Sequence, residues 1–246
     1  MNIVTWNCNG AFRKKFCELA VLDADLMVIQ ECEDPAQSTD AYREWAGDYL
    51  WFGHNKHKGV GVFARHGTNL TKLDWDDEGL ELFLPCRIND SFNLVAVWTK
   101  QAGSPNFRYI GQFWKYLQIH KEKMNEATVI CGDFNSNVIW DEWDRWWNHS
   151  DVVNELGDIG ISSIYHKLKN EEQGAESMPT LFLQRNMDKP YHIDYAFASE
   201  SLFDNETTII DVGMPSRWLV HSDHMPLTFT IDLNQLPAKS AGLSEG

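Results

Sequence analysis

The sequence predicts an α/β fold in which layers of sheet and helix pack on one another, and three observations carry that prediction. Short runs rich in Val, Ile and aromatic residues recur at 3–6, 26–30, 59–64, 80–84, 92–98, 128–131, 193–198, 207–212 and 227–231, each of strand length. Several are apolar almost throughout, so both of their faces must be covered. Stretches with helical spacing lie between some of them, as layered sheets and helices require.

In chain order, Ile3-Val4-Thr5-Trp6 runs into Asn7 and a turn through Cys8-Asn9-Gly10. Phe12, Phe16 and Leu19 at i, i+4, i+7 predict a helix. The runs at 26–30, 59–64, 80–84 and 92–98 follow as strands, and Ile110, Phe113, Trp114 and Leu117 predict a second helix. After the strand at 128–131, Trp140, Trp143 and Trp147 fall on one helical face, the pattern of a helix docked on a sheet; with Trp146 they also offer aromatic faces on which bases could stack, a reading weighted below core packing. The polar stretch 167–178 predicts a surface loop, and the last three runs close the fold. No Pro/Gly/Ser linker and no repeat divides the chain. A single domain is expected over 1–233, with 234–246 a polar tail that frays.

Composition narrows the function. The 246 residues, 43% of them apolar, exclude a disordered chain. Lys and Arg number 21 against 36 Asp and Glu, a formal charge of 21 − 36 = −15, so this is no protein that holds nucleic acid by charge alone. A nuclease is not excluded, because divalent cations recruited to carboxylates can meet phosphates in place of basic side chains. Five cysteines without a CxxC pair argue against both a disulfide framework and a zinc site. With no basic leader and no apolar run near the roughly 18 residues of a membrane span, the expectation is a soluble, cytoplasmic monomer without membrane contact.

The chemistry collects where strand-like runs end. Leu26-Met27-Val28-Ile29-Gln30-Glu31 puts a carboxylate at the end of a buried run, where an isolated charge is costly and calls for a metal or a partner. Gly132-Asp133-Phe134-Asn135 presents an acid and an amide at i and i+2, on one side of an extended chain. Asn7, His192-Ile193-Asp194-Tyr195 and His221-Ser222-Asp223-His224-Met225-Pro226-Leu227 complete the series. Singly, each has an ordinary reading as a turn acid, a cap or an exposed loop pair. The ordered set does not.

Strand-Asn, Gln-Glu, Gly-Asp-Phe-Asn, Ile-Asp-Tyr and Ser-Asp-His-Met-Pro-Leu, in that order from Asn2 to about Ile231, resemble the endonuclease/exonuclease/phosphatase superfamily. The resemblance implies a four-layer α/β sandwich: two packed mixed β-sheets flanked by helices, with a site at one end. It implies Glu31 as main ligand of Mg²⁺ or Mn²⁺, with Asn7 beside it and Asp223 near the metal. Asp133 would orient or deprotonate the attacking water, Asn135 would hold a phosphate oxygen, and His224 would hydrogen-bond the phosphate with Asp194 fixing its ring. Hard oxygen ligands suit Mg²⁺ independently of the family name.

Weaker signals surround this set. Thr180 stands where relatives carry a Thr-Trp or Thr-Tyr pair near the site, and His192 where they often carry Arg; both are candidate substrate contacts, with a structural His the alternative at 192. His54 and His57, beside Lys58, read as a solvated turn. Cys8, Cys32 and Cys131 adjoin site residues and by strand alternation should point away from them. Relatives carry Tyr or His where this chain has Trp98 or, with the placement shifted by one, Thr99. Indole only donates and does not titrate, so Trp98 is a substrate-binding candidate that cannot supply a proton to the leaving group.

The leading expectation is a metal-dependent phosphodiesterase acting on DNA. The alternatives are a hydrolase of small or lipid phosphoesters, which the acidic charge suits, and a degenerate member that only binds.

Overall fold

The structure is a computed structural model, and it describes residues 1–75, 79–80, 82–204 and 206–235. Two six-stranded sheets form it. The first contains β1 (Asn2–Asn7), β2 (Leu26–Cys32), β3 (Tyr49–Asn55), β4 (Lys58–Ala64), β13 (Ile210–Val212) and β14 (Leu227–Thr230), in the order β13-β14-β1-β2-β4-β3. The second contains β5 (Leu70–Lys72), β6 (Phe83–Ile88), β7 (Phe92–Trp98), β8 (Thr128–Asp133), β9 (Ile161–Ser163) and β12 (Asp194–Ser199), in the order β5-β6-β7-β8-β12-β9. A two-stranded hairpin joins β10 (Leu181–Phe182) to β11 (Pro190–Tyr191). Both large sheets are mixed: β1–β2 and β7–β8 run parallel, their other neighbours antiparallel.

Strand alternation sorts the second sheet into two packed faces. Val95, Val97, Ile130, Tyr195 and Phe197 pack with Phe113 and Leu117 of α2 (Ile110–His120) and Val152 and Leu156 of α3 (His149–Asp158). Leu94, Ala96, Cys131, Ala196 and Ala198 join the core shared with the first sheet. Because every residue of β7 is buried, its sequence is apolar almost throughout. On the first sheet Trp6 meets Phe12 and Trp218, while Phe12 packs edge-on to Tyr42 of α1 (Asp40–Ala46). Trp218 belongs to the short α5 (Pro215–Trp218). The layers are therefore helix, sheet, sheet, helix.

Several elements depart from expectation for identifiable reasons. The segment bearing Phe12, Phe16 and Leu19 winds as two 3₁₀ pieces, Phe12–Lys14 and Phe16–Leu22, rather than as an α-helix. Lys15 between them leaves helical geometry at φ −126°. The strand expected at 80–84 begins instead at Phe83, and residue 81 lies outside the described residues. The 207–212 strand is confined to Ile210–Val212. Residues 167–178 are not all surface loop, since α4 (Ile164–Lys169) occupies their start and the Glu176 side chain is 4% exposed. Most of the expected tail, 236–246, lies outside the described residues.

The Trp-rich helix is the largest correction. Only a single 3₁₀ turn, Val138–Trp140, follows Asn137, and Trp143 and Trp146 are 96% and 63% exposed rather than docked on the sheet. Capping overrides the aromatic spacing. The Asp151 carboxylate accepts from Asn148 N (2.8 Å), and that of Asp141 accepts from His149 N (2.9 Å) and Ser150 N (3.2 Å). These bonds satisfy amides that start a helix at His149, which leaves 141–148 as a loop.

Candidate functional site

The parallel pairs β1–β2 and β7–β8 end at the same edge of the sandwich. Asn7 closes β1 beside Gln30 of β2, and Trp98 closes β7 opposite Asp133 of β8. Asp194 opens the antiparallel β12 opposite Asp133. Alternation turns Asp133 and Asp194 toward the seam between the sheets, the side that Cys131 and Ala196 occupy deeper in the core. Close approach of β7 and β8 requires Gly132, since a Cβ there would fall 1.9 Å from the Val97 carbonyl oxygen.

Here the two sheets meet through polar groups. Asn7 Nδ2, from the first sheet, donates to Asp133 Oδ2 of the second (2.8 Å). Asn135 donates to the same oxygen through Nδ2 (2.8 Å), and its backbone N–H donates to Oδ1 (2.8 Å). His224 Nδ1 donates to Asp194 Oδ2 (2.9 Å), and Ser222 anchors this loop by donating to the Asn7 carbonyl (2.8 Å). Ligand atoms of Asp133, Asp194 and His224 all lie within 4.8 Å of one another, and all three residues are buried. Asn9 ties in Asp223 by donating from Nδ2 (2.8 Å).

Charge accumulates because burial and pairing act together. Burial, reinforced by Asp194 and opposed by His224, raises the Asp133 carboxyl to about 7. Burial opposes protonation of His224, but the Asp194 and Asp133 carboxylates outweigh it and raise the ring to about 10. At neutral pH the centre thus holds an imidazolium beside a carboxyl that takes up and releases a proton.

Glu31 sits at the rim. A bulge between Gln30 and Cys32 interrupts the pairing of β2 with β4, and Glu31 takes φ 61° within it. Its carboxylate accepts from Lys58 Nζ at 2.5 Å, with 18% of its side chain exposed. Asn135 also has positive φ, 46°. Such backbone costs on the order of 1–3 kcal/mol where side chains are present, and it clusters at functional sites. The oxygen donors of Glu31, Asp223 and Asn7 are of the type a hard divalent cation takes, and the buried Asp194 Oδ1 has no hydrogen-bond partner, although Glu31 and Asp223 lie outside the close cluster of Asp133, Asp194 and His224.

The fold holds the other candidates in different ways. Thr180 is fully buried, and its Oγ1 accepts from the backbone N–H groups of Ile193 and Asp194 (3.0 Å each). It positions Asp194 rather than presenting a surface to substrate. His192 is also buried, donating through Nδ1 to the Met178 carbonyl (2.8 Å) and packing on Tyr165 and Tyr195. Trp98 is 5% exposed, with Lys100 Nζ 4.8 Å from its ring centre. His54 and His57 are exposed around the β3–β4 turn. Cys8, Cys32 and Cys131 are buried as expected, although Cys131 shares a face with Asp133 two positions on rather than pointing away.

Thr99, the alternative to Trp98 at the end of β7, is buried and its Oγ1 donates to the Phe134 carbonyl (2.5 Å), while sequence reasoning missed Asn9. It also missed a buried polar cluster behind the site. Asn137 donates to Glu176 and to the His192 carbonyl, and His166 Nε2 lies 3.1 Å from Glu176 Oε1. His149 packs on Tyr195 with neither ring nitrogen hydrogen-bonded. Only the residue types were visible in sequence, because these partners lie tens of positions apart.

His149 makes stability depend on pH. Burial lowers its pKa from 6.5 to about 4, so between those values the unfolded chain binds a proton that the folded chain does not. Stability is full above 6.5 and is lost as pH falls toward 4, by about 3 kcal/mol over the whole window. Urea melts at pH 7 and pH 5 test this: His149→Phe should flatten the decline. Equal declines in the two proteins would assign it to other groups.

A family model described as "Endonuclease/Exonuclease/phosphatase family" matches residues 4–224. Among curated proteins none matches. Similar solved structures include a 3′-5′ exonuclease from Neisseria meningitidis, with 21% identity and TM-score 0.68 over 94% of this chain and 100% of that one. A 3′ phosphatase from Neisseria bound to a product DNA hairpin has 20% identity and TM-score 0.65 over 94% and 99%. An AP endonuclease from Archaeoglobus fulgidus has 17% identity and TM-score 0.63 over 94% and 99%. At these identities the likenesses establish the fold: the two mixed sheets with flanking helices are shared.

Proposed function

The chain belongs to the endonuclease/exonuclease/phosphatase family, and on that premise we propose that it is a divalent-metal-dependent hydrolase of phosphodiester bonds in DNA. The observation that carries this reading is the convergence of a buried carboxyl raised to about 7 with an imidazolium at one end of the sandwich. Glu31, Asn7 and Asp223 would hold Mg²⁺ or Mn²⁺, which when bound supplies charge neutralisation at the phosphate. Asp133 accepts a proton from the attacking water, a task suited to a pKa near the working pH. Asn135, whose Nδ2 donates to Asp133 Oδ2 (2.8 Å) and to the Thr99 carbonyl (3.1 Å) in the free protein, would hold a phosphate oxygen by exchanging one of these bonds. His224 donates from Nε2 to another, its ring orientation fixed by Asp194 through Nδ1. Trp98, closing the strand beside Asp133, has no proton to give to the leaving oxygen.

A second reading, a hydrolase of small phosphoesters, draws on the charge of −15. Labelled single- and double-stranded DNA, RNA and small phosphoesters, each incubated with Mg²⁺, Mn²⁺ or EDTA, separate the two. Metal-dependent cleavage of DNA with weak turnover of free phosphoesters is expected. Turnover of small phosphoesters alone would favour the second reading, and no turnover with either metal would defeat both.

A further inference from the structure

The four tryptophans of 140–147 build no helix and enter little of the core. Trp140, Trp143 and Trp146 are 46%, 96% and 63% exposed. Grouped aromatic exposure of this kind marks a surface that meets something. Trp140 and Trp147 line a cleft of about 460 Å³ whose opposite wall carries Arg108 and Tyr109, a size that suits a small organic group. Asn135 also lines it, so the cleft opens directly onto the catalytic centre.

The platform is rigid. Trp140 N donates to Asn137 O (3.0 Å) and Arg145 N to Glu142 O (3.2 Å). The Asn148 side chain accepts from Glu142 N (2.9 Å) and donates to the Glu142 and Arg145 carbonyls (3.0 Å each). Trp140 is backed by Tyr191, ring centres 5.2 Å apart, and Trp147 by Phe107 at 4.5 Å. At Trp140 and Trp147 little side-chain freedom remains to be lost when a ligand stacks there.

Local charge identifies the grip. Two amides engage the Asp141 carboxylate, and Glu142 lies 3.8 Å from Arg145, so two of the three acids of the loop are held by partners. Even so, a chain with 21 cationic and 36 anionic side chains has little with which to hold the paired phosphates of a duplex. Flat aromatic faces are what it offers, and duplex bases, already stacked on one another, cannot use them.

We propose that this cleft and the loop bearing Trp143 form a stacking subsite for unpaired nucleotides flanking the scissile phosphate, with one base on Trp140 in the cleft, a second on Trp143, exposed on the same loop, and Arg108 beside the connecting backbone, which makes single-stranded DNA the preferred substrate. The proposal rests on the phosphodiesterase reading above and narrows it. Base–aromatic stacking is worth about 1–3 kcal/mol per base, so loss of one face should weaken binding by roughly tenfold.

Fluorescence anisotropy of a labelled single-stranded oligonucleotide, measured in EDTA so that no cleavage occurs, tests the cleft apart from catalysis. Trp140→Ala and Trp143→Ala should each raise Kd about tenfold, and Trp140→Phe should recover most of the loss. In Mg²⁺, Trp140→Ala should raise KM for the oligonucleotide relative to KM for bis(p-nitrophenyl) phosphate. Unchanged Kd in both alanine variants, with the melting temperature of wild type, would overturn the subsite, as would wild-type binding of blunt duplex as tight as that of the single strand. Absence of hydrolysis together with Trp-dependent binding would defeat the catalytic reading and leave the cleft standing.

Discussion

Glu31→Gln should nearly abolish hydrolysis while leaving the fold intact. The amide keeps the volume and the position at the end of β2 but removes the charge that draws a divalent cation to Asn7 and Asp223. Metal assistance supplies several kcal/mol of transition-state stabilisation, so kcat/KM should fall by on the order of 10³-fold or more. Folding should survive because the carboxylate is partly exposed and its partner, Lys58, is half-exposed and free to find solvent. Such surface pairs contribute about 0–1 kcal/mol. A melting measurement supplies the second readout: Mg²⁺ or Mn²⁺ should stabilise the wild-type chain by mass action, and the variant much less. An equal shift in both would place the ions elsewhere, and normal turnover in limiting Mg²⁺ would remove Glu31 from the site.

The second large effect is a failure of additivity. Asp194→Asn and His224→Ala should each lower kcat by about 10²–10⁴-fold, the range of proton-transfer and orienting groups. The double variant should be little worse than the poorer single one. Asp194 acts through the ring it holds at 2.9 Å, and once the ring is gone the carboxylate has nothing left to orient. Loss of His224 also leaves the buried Asp133 and Asp194 facing each other across β8 and β12, and breaking a buried pair costs about 3–5 kcal/mol. His224→Gln, which retains a donor of similar length, keeps the test open if His224→Ala unfolds. Effects that multiply would show that Asp194 and His224 act independently.

These expectations were legible in sequence to the extent that local pattern determined local structure. β7 begins and ends where the apolar run 92–98 does, because burial on both faces keeps every residue of it but Asn93 apolar. β3 escaped notice because Tyr49–Asn55 is an edge strand, half-buried and ending in polar residues. The Trp spacing misled because helical periodicity says nothing about where a helix starts, and Asn148, Asp141 and Asp151 decide that with their side chains. For the site, the acids and amides at strand ends could be named in advance. What could not be read was the pairing across the sheets: Asn7 with Asp133 is a contact over 126 positions. Thr180 illustrates the same limit. Its type and neighbourhood were noticed, but its two backbone acceptor bonds belong to a fold already formed.

The pairing of β1 with β14 has a consequence for the order in which the protein comes to life. Asn2 lies opposite Thr230 and Thr5 opposite Leu227, so β1 waits for β14, the last of the described strands, before its sheet is complete. Contacts so distant in sequence form slowly, since the loop must close before its reward arrives. His224 and Asp223 emerge just ahead of β14. A nascent or prematurely terminated chain therefore carries Glu31, Asp133 and Asn135 without the imidazole and without closure of the sheet that holds Asn7. Hydrolytic competence should appear abruptly, only once β14 has joined β1.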